Sequence, residues 1–133
     1  MRYALDANTI SYILRNIRGV TQRWKIEEAQ GNVVSIPLVA YYEVKRGLIH
    51  ANATNKLSAL EKLCKTVEID EITVQDADTA SRIYAKLREQ GNLIDDADIL
   101  IAAQSINRDY TLITNNTKHF ERIDGLDFVD WVE

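Results

Sequence analysis

Three carboxylates, Asp95, Asp96 and Asp98, stand at the head of the apolar, Ala-rich run Ile99-Leu100-Ile101-Ala102-Ala103. Aspartate in the opening turn of a helix meets unpaired N–H groups and the positive end of the helix dipole. One such residue is enough for a cap. Three together repel one another unless something cationic lies between them. On a helix Asp95 and Asp98 share a face, three positions apart, while Asp96 points elsewhere. Two readings fit this stretch alone, a plain helix start or part of a cation site.

The rest of the chain supplies the elements that would position more acids. Tyr3-Ala4-Leu5 reads as a buried strand with Asp6 at its C-terminal end, and Asn8 or Thr9 as the cap of a helix running to Ile17. Arg18-Gly19 breaks that helix. A second helix over 21–30 stops at Gly31, and Val33-Val34-Ser35-Ile36 is a β-branched strand. Pro37 then suits the first helical position, where its missing N–H would be unpaired anyway. The pattern over 38–50 is helical, with Glu43 in the second turn beside a mostly apolar stripe, and another amphipathic helix covers 55–65.

Val67-Glu68-Ile69 is a third short strand, and Thr73-Val74-Gln75-Asp76 has the form of a capping box opening a helix that ends at Gly91. The acid-headed helix occupies 95–105. Tyr110 to Thr114 is strand four, turned by Asn115-Asn116. Lys118-His119-Phe120 is a helical turn, and Phe128-Val129 a short last strand. Strands alternating with helices predict an α/β fold. Its mostly parallel central sheet has four to five short strands with helices on both faces. A chain of 133 residues, all in one domain over 1–133, is long enough to bury a core without disulfides.

Composition narrows the function. A net charge of −4 argues against coating nucleic acid through a broad basic surface, but not against a local encounter with phosphates through a metal. The single cysteine, Cys64, fits a reducing compartment and excludes an internal disulfide framework. No basic-then-apolar leader and no run of membrane-spanning length is present, so the expected location is the cytoplasm, with no membrane partner.

In open parallel sheets, ligands collect beyond the C-terminal ends of the strands. Asp6 and Asn116 fall there, and helix starts on the same edge bring Asp95, Asp96, Asp98 and Glu43 towards them. Neighbouring carboxylates raise one another's pKa, so a cluster ionised at neutral pH needs compensating charge. Ligation by oxygen alone selects a hard ion, Mg²⁺ or Mn²⁺. Such a centre suits phosphodiester hydrolysis.

Four segments carry a family likeness: Leu5-Asp6-Ala7-Asn8-Thr9, Tyr42-Glu43-Val44-Lys45-Arg46-Gly47, Ile94 to Ala103 around Asp98, and Thr114-Asn115-Asn116-Thr117-Lys118-His119-Phe120. In this order and at these separations they resemble PIN-domain ribonucleases, and more narrowly the VapC toxins of type II toxin–antitoxin systems. The resemblance spans essentially the whole chain. It implies a Mg²⁺-dependent endoribonuclease with Asp6 and Asp98 as principal metal ligands and Glu43 as the third acid, helping to position water or metal.

Relatives often carry a fourth acid where this chain has Asn116. An amide can orient water or ligate through its carbonyl, but it brings no charge. One or two ions therefore remain open, with Asp95, Asp96 and Thr114 as additional metal or water contacts. The resemblance further implies a cognate antitoxin protein, an RNA substrate such as a tRNA or rRNA loop, and a homodimer. Arg15, Lys45, Arg46 and Lys118 are candidate phosphate contacts, or equally solvated surface charges.

Other readings of the same residues stand beside this one. Asp6 opens a loop loosely like that of aspartate-nucleophile phosphatases dependent on Mg²⁺, although Asn8 replaces their second acid. A receiver-like phosphoacceptor would want paired acids after strand one and a late lysine, neither of which is seen. A PIN fold that binds RNA with weakened catalysis would follow from the absent fourth acid. His50 and His119 have nothing at ligand spacing and read as surface or packing residues.

Overall fold

The computed structural model describes residues 1–17 and 19–132. In chain order the elements are β1 (Arg2–Leu5), α1 (Ala7–Leu14), α2 (Val20–Ala29), β2 (Val33–Pro37), α3 (Leu38–His50) and α4 (Thr54–Cys64). These are followed by β3 (Glu68–Asp70), α5 (Val74–Glu89), α6 (Asp96–Asn107), β4 (Thr111–Ile113), α7 (Thr117–Phe120) and β5 (Phe128–Val129).

The five strands form one sheet in the order β3-β2-β1-β4-β5, every neighbouring pair parallel. The first strand is therefore the middle one. Its neighbours are reached by crossovers that run first one way, to β2 and β3, and then back past β1 to β4. Right-handed connections that reverse direction in this way cover both faces of a sheet with helices. The point of reversal lies between β1 and β4, where Leu5 pairs with Ile113. That pairing sets Asp6 and Thr114, the next residues of each strand, side by side at the C-terminal edge.

Burial explains the strand sequences. A strand covered on both faces needs apolar side chains in succession rather than alternation. Ala4, Leu5, Ile36, Leu112 and Ile113 are buried, as are Ile99, Ile101, Ala102 and Ala103 of α6. Each fully buried Leu or Ile contributes about 1.5–3 kcal/mol from apolar surface removed from water. The small alanines of α6 let its backbone approach its neighbours, and α5 packs along it.

Helix ends follow short-range chemistry. Gly31 and Gly91 stop α2 and α5 at φ 83° and 71°. Asn16, Asn52 and Asp109 do the same after α1, α3 and α6, at φ between 54° and 56°. The left-handed Asn16 is why α1 ends at Leu14 and does not continue to Ile17. Arg18, half of the expected Arg18-Gly19 break, lies outside the described residues. Gly19 itself precedes α2 at φ 95°. Pro37 ends β2 and caps α3, one position earlier than expected. The Thr73–Asp76 capping box forms as its spacing predicts. Asp76 is also the anchor between α5 and α6, accepting hydrogen bonds from Asn107 at 2.8 Å and Arg108 at 3.0 Å.

Candidate active site

Asp6 sits where β1 ends and α1 begins, and it, not Asn8 or Thr9, is the cap of α1. Its Oδ1 accepts the Thr9 backbone N–H at 2.8 Å. The Thr9 hydroxyl and the Asp6 N–H both donate to the Ile113 carbonyl, which locks the start of α1 to the end of β4. Only 3% of Asp6 is exposed. Burial pushes its carboxyl up from the ordinary range, the hydroxyls of Thr114 and Thr9 and the Thr9 N–H pull it back, and the charge of Asp98 raises it further.

Asp98 arrives from the first turn of α6. Its carboxyl is likewise raised by burial, and by Asp95, against the opposing effect of His119. Glu43 arrives from α3, directly after β2. Burial raises it first, then Asp98, with Asp6 and Asp95 adding to the effect and Arg46 opposing it. Three carboxylates from three separate elements thus feel one another at the sheet edge. Among the described residues no lysine or arginine pairs with Asp6 or Asp98.

The remaining candidates divide by position. Asp95 precedes α6 without spending its side chain on a cap, and its charge reaches both Asp98 and Glu43. Asp96 turns away and lines a cavity against Ala80 and Tyr84 of α5. Thr114 is fully buried beside Asp6, and its hydroxyl accepts the Asn116 N–H at 2.9 Å. Asn116 caps the short α7, which Phe120 anchors in the core.

Of the cations, Arg46 lies 3.9 Å from Glu43 and over the Tyr42 ring. Lys118 is exposed on α7, next to Asn116 and His119. Lys45 is held by the Tyr41 hydroxyl at 2.9 Å and lines a cavity between α3 and α4. Arg15 caps the opposite end of α1 from Asp6, about 13 Å along the axis at the helical rise.

His119, expected as a surface or packing residue, packs against the acidic edge with part of its side chain exposed. Its Nδ1 lies 2.7 Å from Asn116 Nδ2 and 3.4 Å from Asp98 Oδ2. The spacing of Asn116 and His119 across one helical turn was a signal for the first contact; nothing local signals the second.

This donor set suits a hard divalent cation. Among the described residues no three His, Cys, Asp or Glu side chains are gathered closely enough to enclose an ion by themselves. Mg²⁺ does not require that, because it keeps several waters and is commonly held by one or two carboxylates plus substrate phosphates. Asp6 and Asp98, held near other carboxylates and without a paired lysine or arginine among the described residues, are chemically matched to such an ion.

The sequence matches the PIN domain family over residues 3–126. This chain belongs to the PIN-domain family. This PIN domain is 37% identical over 99 residues to ribonuclease VapC1 of Methanocaldococcus jannaschii, covering 74% of the chain and 69% of that relative. It is 25% identical to the tRNA(fMet)-specific endonuclease VapC of Shigella flexneri over 98% of both chains. Among solved structures, VapBC2 of Rickettsia felis, crystallised with a DNA fragment from its promoter, superposes with a TM-score of 0.91 at 25% identity. It covers 98% of this PIN domain and 99% of that chain.

Proposed function

We propose that this PIN domain is a divalent-metal-dependent endoribonuclease, the toxin of a type II toxin–antitoxin pair, acting in the cytoplasm on tRNA or rRNA loops. The observation that carries the reading is positional: Asp6 at the end of β1, Glu43 in α3 after β2 and Asp98 at the head of α6 all lie towards the C-terminal edge of a parallel sheet, beside its switch point. The VapC names of its relatives and the VapBC complex with the same fold support the ribonuclease activity and an antitoxin partner. Assembly as a homodimer belongs to the same proposal. Among the described residues no helix is long and apolar enough to cross a membrane.

In this reading Asp6 and Asp98 hold the ion, Mg²⁺ or Mn²⁺. When bound, the ion offsets charge growing on the phosphoryl oxygens and makes nearby water more acidic. The Thr9 N–H and the hydroxyls of Thr114 and Thr9 fix the Asp6 carboxylate at the end of β1. Glu43, raised above an ordinary glutamate, is a stronger base and takes the proton of the water attacking phosphorus. Arg46 and Lys118 are the cations placed to meet flanking phosphates, and a loop substrate presents the unstacked strand that such a shallow edge can admit.

The test is direct. Purified protein is incubated with total RNA and with tRNA, in Mg²⁺ or EDTA, beside D98N. Cleavage that needs the metal and disappears in D98N supports the reading. RNA bound but uncut would replace it with an RNA-binding role, to which the neutral Asn116 lends the one structural argument. Co-purification with the product of an adjacent small reading frame checks the antitoxin.

A further inference from the structure

We infer that His119 is a positioning residue: its Nδ1–H holds Asp98 in place, doing through a hydrogen bond what a fourth acid would do through charge. The inference rests on the reading above, in which Asp98 is a metal ligand.

The geometry starts with a rigid turn. The Asn116 N–H donates to Thr114 Oγ1 at 2.9 Å, and the His119 N–H donates to the Asn116 carbonyl at 3.2 Å. Phe120, wholly buried, fixes the next position. The imidazole is thereby carried to Asp98, 21 positions back on a different helix, with Nδ1 at 3.4 Å from Oδ2.

Charge then decides which atom carries the proton. A bare Nδ1 would face an ionised carboxylate lone pair to lone pair. With the proton on Nδ1, that nitrogen donates towards Asp98 at 3.4 Å, and the Asn116 amide, whose Nδ2 stands 2.7 Å from it, is turned over so that its oxygen faces the ring. Asn116 in this arrangement is a neutral acceptor that orients the imidazole; an acid there would compete with Asp98 for the same proton.

Asp98 needs the help. Among the described residues His119 is the one side chain within hydrogen-bonding reach of its carboxyl, and no lysine or arginine pairs with it. A carboxylate ligand whose second oxygen is hydrogen-bonded cannot swing away from the ion. Loss of such an outer partner typically costs about 10–100-fold in metal affinity.

The experiment is a Mn²⁺ titration of the full chain by electron paramagnetic resonance, without RNA, for wild type, D98N, H119L, H119Q and H119N. Asparagine places a side-chain N–H near the position of Nδ1, whereas glutamine places one near Nε2 and leucine offers none. His119 is 38% exposed in its side chain, so all three substitutions leave the core intact, and circular dichroism checks this.

Binding weakened about 10–100-fold in H119L and H119Q, with H119N close to wild type, supports the inference. A ¹⁵N shift placing the His119 proton on Nδ1 in the metal-free protein supports it as well. H119L binding like wild type, or H119N as weak as H119L, overturns it. So does a ¹⁴N coupling from the ring to Mn²⁺ in the wild type, which would make His119 a ligand itself. A wild type that takes up no Mn²⁺ overturns the metal reading as a whole, which separates that failure from this one.

Discussion

Asp98 on α6 is the strongest charge acting on Glu43 of α3, and after burial it is the chief reason that Glu43 holds its proton more tightly than a free glutamate. The pair is made wholly by tertiary structure. A carboxyl whose folded pKa is raised costs stability at every pH above its unfolded pKa, and the cost disappears as pH falls below that value. The metal-free site is therefore held together against its own repulsion.

A neutral isostere removes that repulsion. D98N in EDTA at pH 7 is expected to melt a few degrees above wild type, the shift produced by a change on the order of 1 kcal/mol. The advantage shrinks below pH 4, where the wild-type carboxyl is itself neutral. Thermal denaturation at the two pH values measures both, and an unchanged or lower midpoint at pH 7 would show that the acids do not strain the fold.

Adding the ion should reverse the order. A ligand present at one hundred times its dissociation constant stabilises the folded state by about 2.7 kcal/mol. Mg²⁺ or Mn²⁺ is expected to raise the wild-type midpoint and to leave D98N and D6N where they are. A differential scanning measurement with and without the cation reads this without any RNA.

Arg46 opposes the raised pKa of Glu43 across 3.9 Å. If Glu43 must be ionised to accept a proton, R46A moves the acid limb of the kcat/KM profile to higher pH. E43Q loses most of its activity across the whole range. An R46A profile superimposable on wild type would remove Arg46 from the electrostatics of the site.

Asp76 behaves in the opposite sense. Burial works against its charge, but hydrogen bonds from Arg108, Asn107 and the Thr73 N–H win and hold it at about 2. Its contribution to stability is complete above the ordinary carboxylate pKa and is lost as pH falls from about 4 to about 2, amounting to about 2 kcal/mol. Removing one partner leaves the other buried and unpaired, so R108A is expected to cost about 3–5 kcal/mol. Urea unfolding at pH 7 tests the number. Because the pair lies between α5 and α6, the folded fraction of R108A should keep its response to Mg²⁺.

How legible this was depends on the range over which each signal acts. The capping box at Thr73 and Asp76, the glycine stops at 31 and 91, and the helix over 38–50 are set by neighbours within a turn, and the residue pattern predicts them. The residue types alone do not choose among Asp6, Asn8 and Thr9 as the cap of α1, because all three are good cappers. The choice is made when Ile113 takes the Thr9 hydroxyl. Asn16 ends α1 early by a left-handed turn that an asparagine permits but does not demand. The faces of Asp95 and Asp96 followed from helical periodicity. His119 was passed over because its decisive partner, Asp98, is brought to it only by the packing of the folded chain.

The central position of β1 also sets when the acidic edge can exist. Asp6 is held by the carbonyl of Ile113 and the hydroxyl of Thr114, residues more than a hundred positions further along the chain. A chain in which β4 has not yet paired with β1 therefore carries its acids unassembled, whatever else of the sheet has formed.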